Sequence, residues 1–138
     1  MRVVSRLIPM NGKYLLDTNI IIALFAKDLI VLRELAKASE VSVPAIVLGE
    51  LFYGAAKSNQ TAANNARIEE FAAVAAVLVS DVSTAREYGR IKNDLRAKGR
   101  LIPENDIWIS AIASQHDLTL VSRDGHFEEV SNLSVAIW

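Results

Sequence analysis

Short apolar segments, the first three followed closely by a helix signal, recur along this chain and limit what it can fold into. Lys13-Tyr14-Leu15-Leu16 is apolar and begins on a charge, so it reads as a buried strand, and Ile20 to Ala26 reads as the start of a helix. Val41-Ser42-Val43, Val77-Leu78-Val79, Leu118 to Val121 and Ser134 to Ile137 repeat the strand signal, with helical stretches between them. Strands alternating with helices predict a mainly parallel sheet covered on both faces, with all strand carboxyl ends along one edge. In such folds the ligand crevice lies at that edge.

The 138 residues suffice for one domain with a proper core. Residues 1–12 read as an N-terminal extension, because Met10-Asn11-Gly12-Lys13 would itself make a natural start, and residues 13–138 read as the domain. The extension has neither the apolar stretch nor the cleavage site of a secretory signal. The longest apolar runs are far too short to span a bilayer, so a cytoplasmic protein is expected. The absence of cysteine excludes disulfides and thiolate metal sites, and two histidines leave little for a zinc centre. Any metal is therefore expected on oxygen ligands. Fifteen Lys+Arg against sixteen Asp+Glu give a net charge of -1, so nucleic-acid binding would need a local patch.

The helices carry further signals. Asp28 can cap a helix with Leu29, Leu32, Leu35 and Ala36 on one face; with Ile20 to Ala26 it makes an apolar pair readable as core or as a partner-binding surface. Pro44 suits the first position of the next helix, which has Leu48, Leu51, Phe52 and Ala55 as its buried stripe and Glu50 on another face. One turn on, Gly54 leaves that face open, although glycine inside a helix costs about 1 kcal/mol relative to alanine. Thr61 to about Ala75 follows as a helix with Ile68, Phe71 and Ala72 inward. Ser83 can then cap a helix through Lys98, with Ala85, Tyr88, Ile91 and Leu95 as its stripe and Gly99 as its stop. Between Arg86 and Arg100, Arg86, Arg90, Lys92, Arg96, Lys98 and Arg100 outweigh Glu87 and Asp94. That run reads equally as a solvated helix face and as a phosphate contact.

Four acids fall where they can converge. Asp17 and Asp124 each stand just past the carboxyl end of a strand, and Glu50 and Asp106 lie on helices that can begin near the same edge. Each alone is explained as a helix cap, a first-turn acid or a solvated residue. Together they would repel and raise one another's pKa, which points to a bound divalent cation. Oxygen ligands suit Mg²⁺ or Mn²⁺, and such a site activates water and neutralises charge on a phosphoryl group.

Leu15-Leu16-Asp17-Thr18-Asn19, Glu50-Leu51-Phe52-Tyr53-Gly54-Ala55, Ile102-Pro103-Glu104-Asn105-Asp106 and Val121-Ser122-Arg123-Asp124 with Phe127 resemble, in order and interval, the successive motifs of the PIN domain. The subgroup they most resemble is the VapC-like ribonuclease toxins of prokaryotic toxin-antitoxin pairs. The resemblance implies a three-layer α/β/α sandwich with a central parallel sheet and a metal-dependent endoribonuclease site. It assigns Asp17, Glu50, Asp106 and Asp124 to the catalytic quartet, with the metal chiefly on Asp17, Asp106 and Asp124. Glu50 is left to hold a coordinated water or a second ion, with Ser122 as the small hydroxyl residue nearby. The chemistry it implies is in-line attack of water on an RNA phosphodiester, leaving a 5′-phosphate and a 3′-hydroxyl. It further implies a homodimer and a cognate antitoxin protein that lays an apolar segment on the toxin, for which Ile20 to Ala36 is the candidate groove. Structured RNA such as tRNA is the family-level substrate.

Other assignments fit less well. A receiver domain would need an acidic pair after the first strand, and an Asp-x-Asp phosphatase is excluded by Asn19. A non-catalytic PIN scaffold that binds RNA or a protein is the remaining alternative. Arg90, Arg96, Arg100 and Arg123 are the candidate RNA contacts, Arg123 having an ion pair as its alternative. His116, His126 and Trp108 read as surface or packing residues.

Overall fold

The computed structural model describes residues 12–138, so all of the N-terminal extension except Gly12 lies outside the described residues. The elements are β1 (Lys13–Leu16), α1 (Thr18–Phe25), α2 (Leu29–Lys37), β2 (Glu40–Pro44), α3 (Ala45–Ala56), α4 (Thr61–Val74), β3 (Ala76–Leu78), α5 (Val82–Ala97), α6 (Glu104–Gln115), β4 (Thr119–Val121) and β5 (Val135–Ala136). A 3-10 turn, Gly125–Glu129, separates β4 from β5. The strands form one parallel sheet in the order β3-β2-β1-β4-β5, flanked by six helices.

That order explains the site. From β1 the chain builds outward through β2 to β3, then crosses to the other side of β1 for β4 and β5. The reversal opens a crevice between the carboxyl ends of β1 and β4, the topological switch point at which open α/β sheets bind ligands. Leu15, Leu16, Leu120 and Val121 are fully buried there, and the Asp17 amide donates to the Val121 carbonyl at 3.0 Å. The two residues that leave these strands therefore have little freedom.

Several expectations shift in detail. Asp28 caps α2, accepting from the amides of Ile30 and Val31, but its fully buried residue is Val31. Leu29 is 73% exposed and Ile30 53%, so the α2 face reads as surface and not as core. In α3, Pro44 is the residue before the helix, and Val47 joins Leu51 and Ala55 inside while Leu48 and Phe52 are half-buried. The Val77-Leu78-Val79 strand is not buried: it begins at Ala76, lies at the sheet edge and leaves Val79 65% exposed. Asp81, not Ser83, caps α5, accepting from the Thr84 amide at 3.0 Å while the Thr84 hydroxyl accepts from the Asp81 amide. Thr84 is consequently buried and Ala85 is not. Gly99 ends the helix at φ +67, the left-handed conformation that only glycine adopts cheaply.

Candidate active site

Asp17 ends β1 and caps α1; it is 6% exposed. Its Oδ1 accepts from the Thr18 amide at 2.8 Å and its Oδ2 from the Ser122 hydroxyl at 2.7 Å. Ser122, fully buried just past β4, also accepts from the Asp124 amide at 3.0 Å. One hydroxyl thus ties together the acids leaving the two central strands. Asn19 completes the tie: its Nδ2 donates to Ser122 Oγ at 3.3 Å and its Oδ1 accepts from the Arg123 amide at 3.1 Å. A carboxylate at position 19 could not make that first donation, so the residue that rules out an Asp-x-Asp site has its own positioning role.

Asp106 lies in the first turn of α6, where the helix dipole favours a carboxylate. Its Oδ2 meets His126 Nδ1 at 3.1 Å, and the same nitrogen lies 3.0 Å from Asp124 Oδ1. Ligand atoms of Asp106, Asp124 and His126 all fall within 4.8 Å of one another. His126, read from sequence as a surface or packing residue, therefore stands between two of the acids. The available signal was its spacing: two residues past Asp124, it donates its amide to Asp124 Oδ1 at 2.9 Å, which turns the chain back on the carboxylate.

The electrostatics couple the four acids. Burial pushes the Asp17 carboxyl above its ordinary range, with Asp124 adding to the rise. Burial also raises Glu50 on α3, helped by Asp17 and Asp106. Asp106 is raised by burial first and then by Asp17 and Asp124, with His126 opposing. Negative charge crowded into a half-buried corner fits a divalent cation, and the donors are mainly carboxylate oxygens.

The basic candidates are placed differently. Arg90 pairs with Glu87 at 2.9 Å and reaches Asp94 at 3.5 Å, and Arg100 approaches Glu129 at 3.9 Å. Arg123 turns to the Trp138 carbonyl and to Asp28, at 2.7 and 3.0 Å. Arg96 sits in the last turn of α5 without a carboxylate partner among the described residues. Trp108 stacks on Tyr88, ring centroids 4.1 Å apart, as a packing residue does. His116 follows α6 as an exposed residue.

A parallel sheet with an acid corner at its switch point, in this element order, is the architecture of the PIN domain, whose family model matches residues 14–133; the chain belongs to that family. Within it the relatives are VapC ribonucleases. The chain is 39% identical over 129 residues to Ribonuclease VapC2 of Haemophilus influenzae, covering 91% of this chain and 98% of that one. It is 32% identical to the tRNA(fMet)-specific endonuclease VapC of Shigella flexneri over the same shares of the two chains. The solved DNA-bound VapBC structure from Salmonella typhimurium superposes at a TM-score of 0.83 with 31% identity, covering 91% of this chain and 98% of that one.

Proposed function

We propose that this protein is the endoribonuclease toxin of a toxin-antitoxin pair, hydrolysing RNA phosphodiesters at the acid corner with Mg²⁺ or Mn²⁺ bound. The observation that carries the reading is the convergence of Asp17, Glu50, Asp106 and Asp124 at the β1/β4 switch point, three of them raised above their ordinary range. Uncompensated acids cost stability, and a site that keeps them has a use for a cation. A divalent cation there supplies water activation and neutralises charge developing on the phosphoryl oxygens.

The chain's own residues prepare that corner. Asp17, Asp106 and Asp124 would hold the cation, and Ser122 fixes Asp17 by its 2.7 Å hydrogen bond so that the carboxylate is aimed before the ion arrives. Glu50, half-buried beside them, orients water or a second ion. His126 spaces Asp106 and Asp124. Structured RNA, tRNA included, is the substrate class, supported by the name of the Shigella relative. A cognate antitoxin is the protein partner, and the exposed apolar face of α1 and α2, with Ile22, Leu29, Ile30 and Leu32, is the surface offered to it. The working unit that the toxin reading implies is a cytoplasmic homodimer.

The test is incubation of the partner-free protein with total cellular RNA in Mg²⁺ or Mn²⁺, with EDTA and Asp17→Asn controls, and mapping of the new ends. Discrete cuts bearing 5′-phosphates, absent from both controls, are expected. A folded, metal-loaded protein that cuts nothing in that pool would favour a non-catalytic scaffold instead.

A further inference from the structure

Beside the acid corner runs a groove of about 430 Å³ between α1, α3 and α4. Its walls are largely apolar, with Ile22, Phe25, Leu51 and Ile68, yet it also carries Glu50 from the acid set and the Arg67 side chain. Gly54 lines it too, and a Cβ built there meets nothing within 4 Å. The open space costs the helix about 1 kcal/mol relative to alanine, so it is a feature kept against local stability. Arg67 is exposed, lies over the Phe25 ring at 5.6 Å and has no carboxylate partner among the described residues. On α5, by contrast, Arg90 and Lys92 are both engaged by acids.

We propose that this groove is a nucleotide subsite: it receives one unstacked nucleoside adjoining the cleaved phosphodiester, and the Arg67 guanidinium holds a neighbouring phosphate. The inference rests on the ribonuclease reading of the acid corner. Three observations support it. The volume lies in the lower part of the range for small-ligand sites, about 300–1,000 Å³, which suits one nucleoside. Single-stranded RNA is read by splaying bases onto aromatic rings and guanidinium planes, and the Arg67 guanidinium, lying over the Phe25 ring, presents such a plane in the groove. An unpaired guanidinium is complementary to phosphate, whereas the adjacent acids admit a phosphate only when their cation is in place. Specificity would then reside in the groove and chemistry in the corner, joined at Glu50.

The experiment measures steady-state cleavage of a short single-stranded RNA spanning a mapped cut, and of the same RNA with an abasic residue on either side of the cut. For the parent, removing the base on one side should lower kcat/KM about tenfold, since one base stack is worth roughly 1–3 kcal/mol. Gly54→Leu places a side chain in the groove from a helix-favouring residue. It should show that loss on intact RNA and no further loss on the abasic strand. Gly54→Ala, which fills less of the groove, serves should the larger residue disturb folding, and should show a smaller loss in the same pattern. Arg67→Gln should raise KM several-fold with kcat nearly constant, and reduce the salt slope of log kcat/KM by about 0.7, as for one lost phosphate contact on a single strand. Parental KM, salt slope and base dependence in these folded variants would overturn the subsite and leave the groove to a protein segment. No cleavage of any RNA by the parent would overturn the ribonuclease reading and the subsite with it.

Discussion

Asp17, Glu50 and Asp106 at the end of the central strands, and Asp28, Asp81, Glu87 and Glu104 on the helices, are shifted in opposite directions. Burial raises the first three and mutual repulsion adds to it. The others are lowered by hydrogen bonds: Asp28 by Arg123, Asp81 by the Thr84 amide, Glu87 by Arg90 and Glu104 by Lys92. The helix acids cap an end or fasten one element to another. The corner acids oppose folding, and the buried sheet around them holds them in place regardless. A pair of Asp residues that look alike in sequence, Asp17 and Asp81, are both helix caps; what separates them is that Asp17 is also enclosed beside other acids.

The largest effect should come from neutralising the corner. Asp17→Asn keeps one acceptor oxygen, enough for the Thr18 amide, but puts an NH2 donor in place of the oxygen that accepts from the Ser122 hydroxyl and removes the charge that would hold the cation. Cleavage is expected to fall about a thousandfold, equivalent to roughly 4 kcal/mol of transition-state stabilisation. In EDTA the same variant should melt no lower than the parent, because the group it removes is held above its ordinary range. Cleavage at the parental rate would show that the site has been misassigned.

Cation binding should separate the two sets of acids next. Mn²⁺ at a hundred times its dissociation constant should stabilise the parent by about 2.7 kcal/mol, a rise of several degrees in melting temperature. Asp106→Asn should abolish most of that rise and Glu87→Gln none of it. An undiminished rise in Asp106→Asn, measured by thermal denaturation, would place the cation elsewhere.

Acidification gives a subtler contrast. For Asp17, Glu50 and Asp106 the folded value exceeds the unfolded one, so their penalty is absent below the ordinary carboxylate range and grows as pH rises through the raised folded values. The helix acids have the reverse sign: their contribution is present at neutral pH and fades as pH falls through their lowered values, and solvent screening keeps it small. In EDTA the urea midpoint should therefore fall between mildly acidic and neutral pH, and saturating Mn²⁺ should remove the fall. A midpoint that rises with pH in EDTA would mean that the corner acids are not coupled.

Topology made most of the corner legible. Asp17 and Asp124 could be placed from sequence because any residue leaving a buried parallel strand is fixed at the sheet's carboxyl edge. Glu50 and Asp106 could be placed only on helices able to begin near that edge, since a helix face does not say which neighbour it meets; the motif resemblance gave them their role. His126 and Asn19 were missed as site residues because their contacts join segments 20 or more residues apart, to Asp106 and to Ser122. Val77 and Val79 misled for a similar reason: β-branched residues mark a strand, but only the sheet order shows that β3 has an open edge. The α5 charge surplus allowed for Glu87 and Asp94, which pair with Arg90 within the helix, but not for Glu104 and Glu129, the acids from other segments that Lys92 and Arg100 meet.

The smallest expected effect is also the sharpest check on the contrast between the two caps. Asp81 holds the Thr84 amide at 3.0 Å and accepts from Gln115 Nε2 at 2.9 Å, so it fastens the start of α5 to the end of α6. α6 carries Asp106 at its opposite end, which gives Asp81 a mechanical route to the site but no electrostatic one. Asp81→Ala should lower the melting temperature by a few degrees, the usual result of losing a cap, while cleavage per folded molecule and the Mn²⁺-induced shift stay at parental values. A reduced Mn²⁺ shift at full folding would mean that the α5–α6 seam sets the position of Asp106, and the helix acids would then be part of the site's geometry and not only of its scaffold.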